Sequence, residues 1–184
     1  AQTATAEASD NSVTVSGNST VEDNIYGGRA SVYDSQTAAA EANGNSVTVS
    51  GSTVYGDVVG GYAFARGNQT ATAKANGNSV TVSGSQVNGD VVGGYAKVSL
   101  YKNEISISAL NDESEGQYQN TSYSEDATAK ANNNSVTVSN GSTVYGAIYG
   151  GRAYIEGNGD QTATAEANGN NVTVSGDSKV KNIY

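Results

Sequence analysis

Apolar and polar residues alternate with period two along most of this chain, the pattern of half-buried β-strands. Between residues 69 and 96, Ala71, Ala73 and Ala75 share one face, while Thr70, Thr72 and Lys74 share the other. After Asn76-Gly77, residues 79–83 put Val80 and Val82 on one face and hydroxyls on the opposite one. A third stretch, Val87 to Val92, leads into Gly93-Gly94-Tyr95-Ala96. Valine, threonine and tyrosine favour strands, and Asn-Gly favours a tight reversal with positive φ. No segment carries a helical period, so the pattern predicts an all-β chain.

The same unit recurs five times within one repeat domain spanning 1–184. The repeats cover residues 2–35, 36–68, 69–124, 125–160 and 161–184. The third carries an insertion at about 97–124, and the fifth is truncated where a Gly-Gly pair would follow. Within the insertion, residues 103–108 echo the valine strand with Ile105 and Ile107, which reads as a degenerate extra rung before a polar loop.

Two foldings satisfy the local pattern. A hairpin at Asn76-Gly77 sets Ala73 against Val80 and Ala71 against Val82, giving an antiparallel repeat sheet. A β-arch instead turns the two strands face to face, and successive arches stack as coils. The columns formed across the repeats favour stacking. Val13, Val47, Val80, Val136 and Val172 form one column; Val15, Val49, Val82, Val138 and Val174 form the next. Val21, Val54, Val87, Val144 and Val180 form a third. One coil buries almost nothing, whereas a stack buries a continuous core with rungs about 4.8 Å apart. The expected architecture is a β-solenoid, parallel β-helix-like, of about five coils. The pairs Gly27-Gly28, Gly60-Gly61, Gly93-Gly94 and Gly150-Gly151 are expected at its corners, where a Cβ would obstruct the turn. Asparagines 11, 45, 78, 134 and 170 are expected to form an amide ladder at another corner.

Composition narrows the chemistry. Histidine, cysteine, methionine, tryptophan and proline are absent. The chain therefore has no imidazole base, no thiolate nucleophile and no soft metal ligand. No catalytic, cofactor-binding or metal-ligating set is predicted, and the expectation is a protein that is not an enzyme. The net charge of −9 argues against nucleic acid, which needs basic patches. No apolar run approaches the roughly 20 residues of a membrane span, so membrane insertion is not expected. Ala1-Gln2-Thr3 suits a mature end left by signal-peptide cleavage, which points to a secreted protein.

The string NSVTVSGSTVYGDVVGGYA at 45–63, echoed by NSVTVSGSQVNGDVVGGYA at 78–96, resembles the repeats of bacterial autotransporter passenger domains, which read NxVTISGGTVNGxVYGGYA. The resemblance runs through all five copies. It implies a right-handed parallel β-solenoid at the surface of a Gram-negative-type bacterium, acting as an adhesin or stalk. The family's β-barrel translocator is not found before the sequence stops at Tyr184.

These readings converge on an extracellular filament or surface fibre whose partner is a second copy of itself, joined head to tail. Gln2, Thr3, Ala4, Thr5 and Ala6 at one end, with Val180, Ile183 and Tyr184 at the other, are the expected assembly residues. The next subunit's 2–8 strand is expected to complete the last coil. An adhesin passenger binding a host or carbohydrate surface is the alternative, its specificity placed in the 97–124 insertion. Ice binding through Thr3/Thr5, Thr70/Thr72 and Thr162/Thr164 is a third, although Ala39 and Asp126 interrupt those columns. Arg29, Tyr62, Tyr95 and Arg152 align as a cation–π column or a carbohydrate stripe. Glu7, Glu41, Lys74, Lys130 and Glu166 form a column of mixed sign. Asn111, Asp112, Glu113 and Glu115 read as a polar loop, with calcium ligation as the alternative.

Overall fold

In a computed structural model of the chain, residues 2–100, 125–157 and 161–184 are described. The insertion's Ile105 and Ile107, its acidic cluster and the calcium alternative lie outside them. Each coil follows the alternation read above. Coil one contains Thr3–Glu7 (β1), Ser12–Val15 (β2) and Thr20–Val21 (β3). The long strand Ile25–Glu41 (β4) closes it and opens coil two, which continues with Ser46–Ser50 (β5) and Thr53–Val54 (β6). Val58–Lys74 (β7) leads likewise into coil three, with Ser79–Ser83 (β8), Gln86–Val87 (β9) and Val91–Leu100 (β10). Coil four holds Glu125–Lys130 (β11), Ser135–Ser139 (β12) and Thr143–Glu156 (β13). Coil five holds Gln161–Glu166 (β14), Asn171–Val174 (β15) and Lys179–Ile183 (β16).

Every described pairing is parallel and joins equivalent residues of neighbouring coils. Ala71 of β7 lies beside Ala38 of β4 and Ala127 of β11, and Val80 of β8 beside Val47 of β5 and Val136 of β12. Ala73 pairs with Ala40 and Ala129 rather than with Val80, so the Asn-Gly reversals are arches and not hairpins. The result is an all-β solenoid of a little over four turns, built from an 11-stranded and a 5-stranded sheet. Its reversals use left-handed backbone at equivalent positions: Asp10, Gly44, Gly77, Asn133 and Gly169 have φ of 58°, 67°, 65°, 56° and 65°. Glycine, asparagine and aspartate are the residues that tolerate this region.

Two apolar clusters fill the interior. Alanines of the TATA strands pack on Ala30, Ala63, Ala96 and the neighbouring Val32, Ala65 and Val98. The valine columns pack on Ile25, Val58, Val91 and Ile148. Val47, Val49, Val80, Val82, Val136 and Val138 are at most 1% exposed, while Val13, Val15, Val172 and Val174 in the end coils are only partly buried. Fully burying a valine contributes roughly 1.5–3 kcal/mol, so the middle coils carry most of the hydrophobic stabilisation.

The glycine pairs are not corners between strands. They lie inside β4, β7, β10 and β13, and none has positive φ. In β4, Ile25 is buried, Tyr26 is half-buried, Gly27 and Gly28 are both buried, and Arg29 is exposed. Two consecutive inward positions reverse the in–out parity of the strand. The space this frees is occupied by an asparagine of the next coil. A Cβ on Gly61 would run into the Ala42 carbonyl oxygen and stand 2.5 Å from the Asn78 amide.

Candidate functional site

The residues with the most specific geometry are the polar columns, because each amide or hydroxyl must find its partner in an adjacent coil. Asn45, Asn78 and Asn134 are each 1% exposed. The backbone N–H and side-chain NH₂ of Asn45 donate to Asn78 Oδ1 at 2.9 and 3.1 Å, and those of Asn78 to Asn134 Oδ1 at 2.9 and 3.1 Å. Asn11 donates in the same way to Asn45, and Asn134 to Asn170. The ladder has a direction. Among the described residues, Asn170 keeps its donors unspent at one edge, and Asn11 Oδ1 receives no donor at the other.

A second ladder, two residues earlier, runs the opposite way. The N–H groups of Asn76, Asn132 and Asn168 donate to Oδ1 of Asn43, Asn76 and Asn132 at 2.9, 2.8 and 2.7 Å. A third climbs through serines, with backbone N–H of Ser19, Ser52 and Ser85 donating to Oγ of Ser52, Ser85 and Ser142. A fourth uses Asn24, Asp57 and Asp90, whose side-chain oxygens accept N–H groups of Asp57, Asp90 and Ala147 at 2.7–2.8 Å. Only the first of these is expected from the sequence reading above. The signal for the others is a short polar side chain at the same place in the repeat: asparagine from coil two onward in the second, serine throughout the third, and asparagine then aspartate in the fourth.

The expected assembly residues occupy opposite ends of the stack and different columns. Gln2, Thr3, Ala4, Thr5 and Ala6 lie in or beside β1, whose outer edge is unpaired among the described strands. Val180 and Ile183 lie in β16 with Tyr184 just beyond, and Ile183 and Tyr184 are 50% and 68% exposed. Strand β1 holds the register position of the second half of β4 and β7 and of β11 and β14. Strand β16 holds a different position, that of β3 and the start of β4, so residues 2–8 and β16 belong to different columns.

The column of mixed sign forms two ion pairs, Glu41–Lys74 at 2.8 Å and Lys130–Glu166 at 3.1 Å. All four side chains are about a third exposed, where solvent screening leaves such pairs little net stabilisation. Lys130 and then Asn132 donate to Glu166 and hold its carboxyl below the ordinary glutamate range. Its contribution is present above the unfolded-state pKa and is lost as pH falls through the folded one. In an NMR titration Glu166 is expected to titrate below the ordinary glutamate midpoint, and Lys130→Gln to bring it back up. An unmoved midpoint in that variant would remove the ion pair as the cause.

Threonine columns behave differently on the two flat faces. On the TATA face they are interrupted by Ala39 and Asp126 and border the charged column. On the valine strands, Thr14, Thr48, Thr81, Thr137 and Thr173 form an unbroken column. Arg29 lies over the rings of Tyr26 and Tyr62 at 5.3 and 5.4 Å, and Arg152 over Tyr149 and Tyr95 at 5.2 and 5.4 Å. Tyr62 and Tyr95 complete the column with ring centroids 5.3 Å apart. No family model, no curated protein and no solved structure matches the chain.

Proposed function

We propose that this β-solenoid repeat protein is a non-enzymatic structural subunit of an extracellular bacterial filament or surface fibre, elongating head to tail. The observation that carries this reading is the complementarity of its two edges. Coil five offers the unspent donors of Asn170 and the unfilled Asn168 Oδ1; coil one offers the unfilled Asn11 Oδ1. Both end coils leave their valine columns half-buried, whereas the middle coils bury theirs. Stacking coil one on coil five completes the ladder and the core together. Such a contact is heterologous and does not close, so it propagates. The likeness to autotransporter passenger repeats supports a place at the bacterial surface.

The ladder itself supplies a test. Thr37 N donates to Gln2 O and Ala8 N to Glu41 O. In a parallel strand the N–H and C=O of alternate residues face opposite neighbours, so Thr5 presents its backbone groups to the outer edge. Thr5→Pro removes an outward donor at an edge strand, where proline is tolerated. Wild-type protein concentrated from dilute solution is expected to form filaments by electron microscopy and to sediment as polymer. Thr5→Pro is expected to keep its β-type circular dichroism while elongation falls at least tenfold. Monodisperse wild-type particles at high concentration, or unchanged growth of the variant, would overturn the reading.

A further inference from the structure

The chain's positive charge is unevenly placed. All three arginines, Arg29, Arg66 and Arg152, and Lys97 lie on the outward face of the Gly-Gly-containing strands, although the protein as a whole carries −9. Among the described residues, seven tyrosines share that face: Tyr26, Tyr33, Tyr62, Tyr95, Tyr149, Tyr154 and Tyr184. Phe64 joins them, 5.1 Å from Tyr33.

Two of the four cations are paired. Lys97 meets Glu156 at 3.0 Å, and Arg66 meets Asp34 at 3.5 Å. Arg29 and Arg152 are different: among the described residues neither makes an ion pair. Each is instead held against two tyrosine rings, which fixes the guanidinium plane without neutralising it. The register Arg29–Tyr62–Tyr95–Arg152 separates the two charges by three rungs, roughly 14 Å at the usual strand spacing. Between them lie two tilted tyrosine rings on an extended, flat sheet.

The geometry points to this face as a binding site for an acidic polysaccharide, a chain of sugar rings bearing carboxylates. A guanidinium offers a planar fork that matches a carboxylate in two parallel hydrogen bonds. Tyrosine offers an apolar ring face to the C–H face of a sugar and a hydroxyl to its oxygens. The alternation of fork, ring, ring and fork along a straight column suits an extended polymer better than a small molecule. Single-stranded nucleic acid also combines anions with flat rings. Its affinity comes from neutralising many phosphates, however, and this face has two unneutralised cations on an otherwise acidic body. The inference stands apart from head-to-tail assembly, because the column lies on the side of the stack and not on its edges.

The test uses the full chain with three probes: oligogalacturonate, dextran oligosaccharide of equal length, and an oligothymidylate. Without tryptophan, intrinsic fluorescence reports tyrosine alone, and isothermal calorimetry gives a second reading. Oligogalacturonate is expected to bind saturably, with affinity falling as salt rises. The double variant Arg29→Gln/Arg152→Gln is expected to lose at least tenfold, and Tyr62→Leu/Tyr95→Leu a comparable amount, with far-UV circular dichroism unchanged in the first pair. Absence of oligogalacturonate binding, equal binding of dextran, tighter binding of oligothymidylate, or full affinity in the arginine variant would each overturn the proposal.

Discussion

Gly61→Ala is expected to be among the most damaging single methyl groups that can be added to this protein. The new Cβ would meet the Ala42 carbonyl oxygen on one side and the Asn78 amide, at 2.5 Å, on another. Neither obstacle is the far end of a flexible side chain. The carbonyl belongs to the backbone of coil two. The Asn78 amide is held by three hydrogen bonds, two accepted from Asn45 and one donated to Asn134. Ordinary overpacking costs about 1–3 kcal/mol. Here the backbone itself must move, so a loss of about 4 kcal/mol or more is expected, at the level reserved for exceptional substitutions. Chemical denaturation followed by circular dichroism measures it. A second variant separates the two obstacles. Gly61→Ala combined with Asn78→Ala relieves the side-chain clash but leaves the Ala42 carbonyl, so only partial recovery relative to the sum of the single effects is expected. A Gly61→Ala protein within about 1 kcal/mol of wild type would mean that the parity switch is not sterically enforced.

Asn78→Asp should be nearly as damaging, and in a way that depends on pH. The substitution keeps the shape of the side chain and replaces a donor by an acceptor. Where Asn78 Nδ2 donated to Asn134 Oδ1 at 3.1 Å, two oxygens would face each other inside a column that is 1% exposed. Burial disfavours the charged carboxylate, and the protonated acid restores the missing donor, so the folded-state pKa is raised above the unfolded value of about 3.9. Stability of the variant is therefore greatest below about pH 4 and falls as pH rises toward the raised folded-state pKa. The loss is about 1.4 kcal/mol for each pH unit that separates the unfolded and folded values. Wild type lacks a titrating group at this position. Denaturation midpoints measured from pH 3 to pH 8 are expected to drop steeply for Asn78→Asp relative to wild type. Parallel pH profiles would show that the amide ladder contributes nothing beyond shape. Asn78→Val tests the same ladder without charge. It strands the Asn45 donors, while the backbone N–H of residue 78 still reaches Asn134 Oδ1, and each buried unsatisfied donor costs about 1–3 kcal/mol.

How much of this is legible in the sequence depends on whether a residue's role is local to its repeat. Val80 and Val82 announce an inward face by alternation alone, and their recurrence at Val47, Val49, Val136 and Val138 implies stacking. The structure places all six in one core. Asn78 is legible for the same reason, since an asparagine recurring at one place in every repeat implies a column. Gly60-Gly61 is where the pattern misleads, by suggesting a corner. Period-two alternation is carried by side chains, and a strand that turns two consecutive side-chain-free positions inward leaves no mark on it. The switch is visible only once Asn78 is known to fill the vacated space. The arch at Asn76-Gly77 is ambiguous in sequence because both foldings bring matching faces together. What separates them is the neighbour of Ala73, which is Ala40 and not Val80. The column of Arg29, Tyr62, Tyr95 and Arg152 is legible from the repeat alignment. Its isolation from carboxylates depends on Asp34 and Glu156 pairing with Arg66 and Lys97 instead, which the alignment alone does not show.

The opposed directions of the Asn45 and Asn43 ladders bear on how long such a stack can become. An α-helix aligns its peptide dipoles and accumulates about half an elementary charge at each end. In this solenoid one amide column points its donors toward coil five, while its neighbour two residues away points them toward coil one. Their fields along the axis oppose one another from coil two to coil five. A further coil of the same kind would add hydrogen bonds and buried valine with part of its polarisation cancelled. In a fibre of the kind proposed, these columns would then build little macrodipole, and what would accumulate with length is the net charge of −9 per subunit.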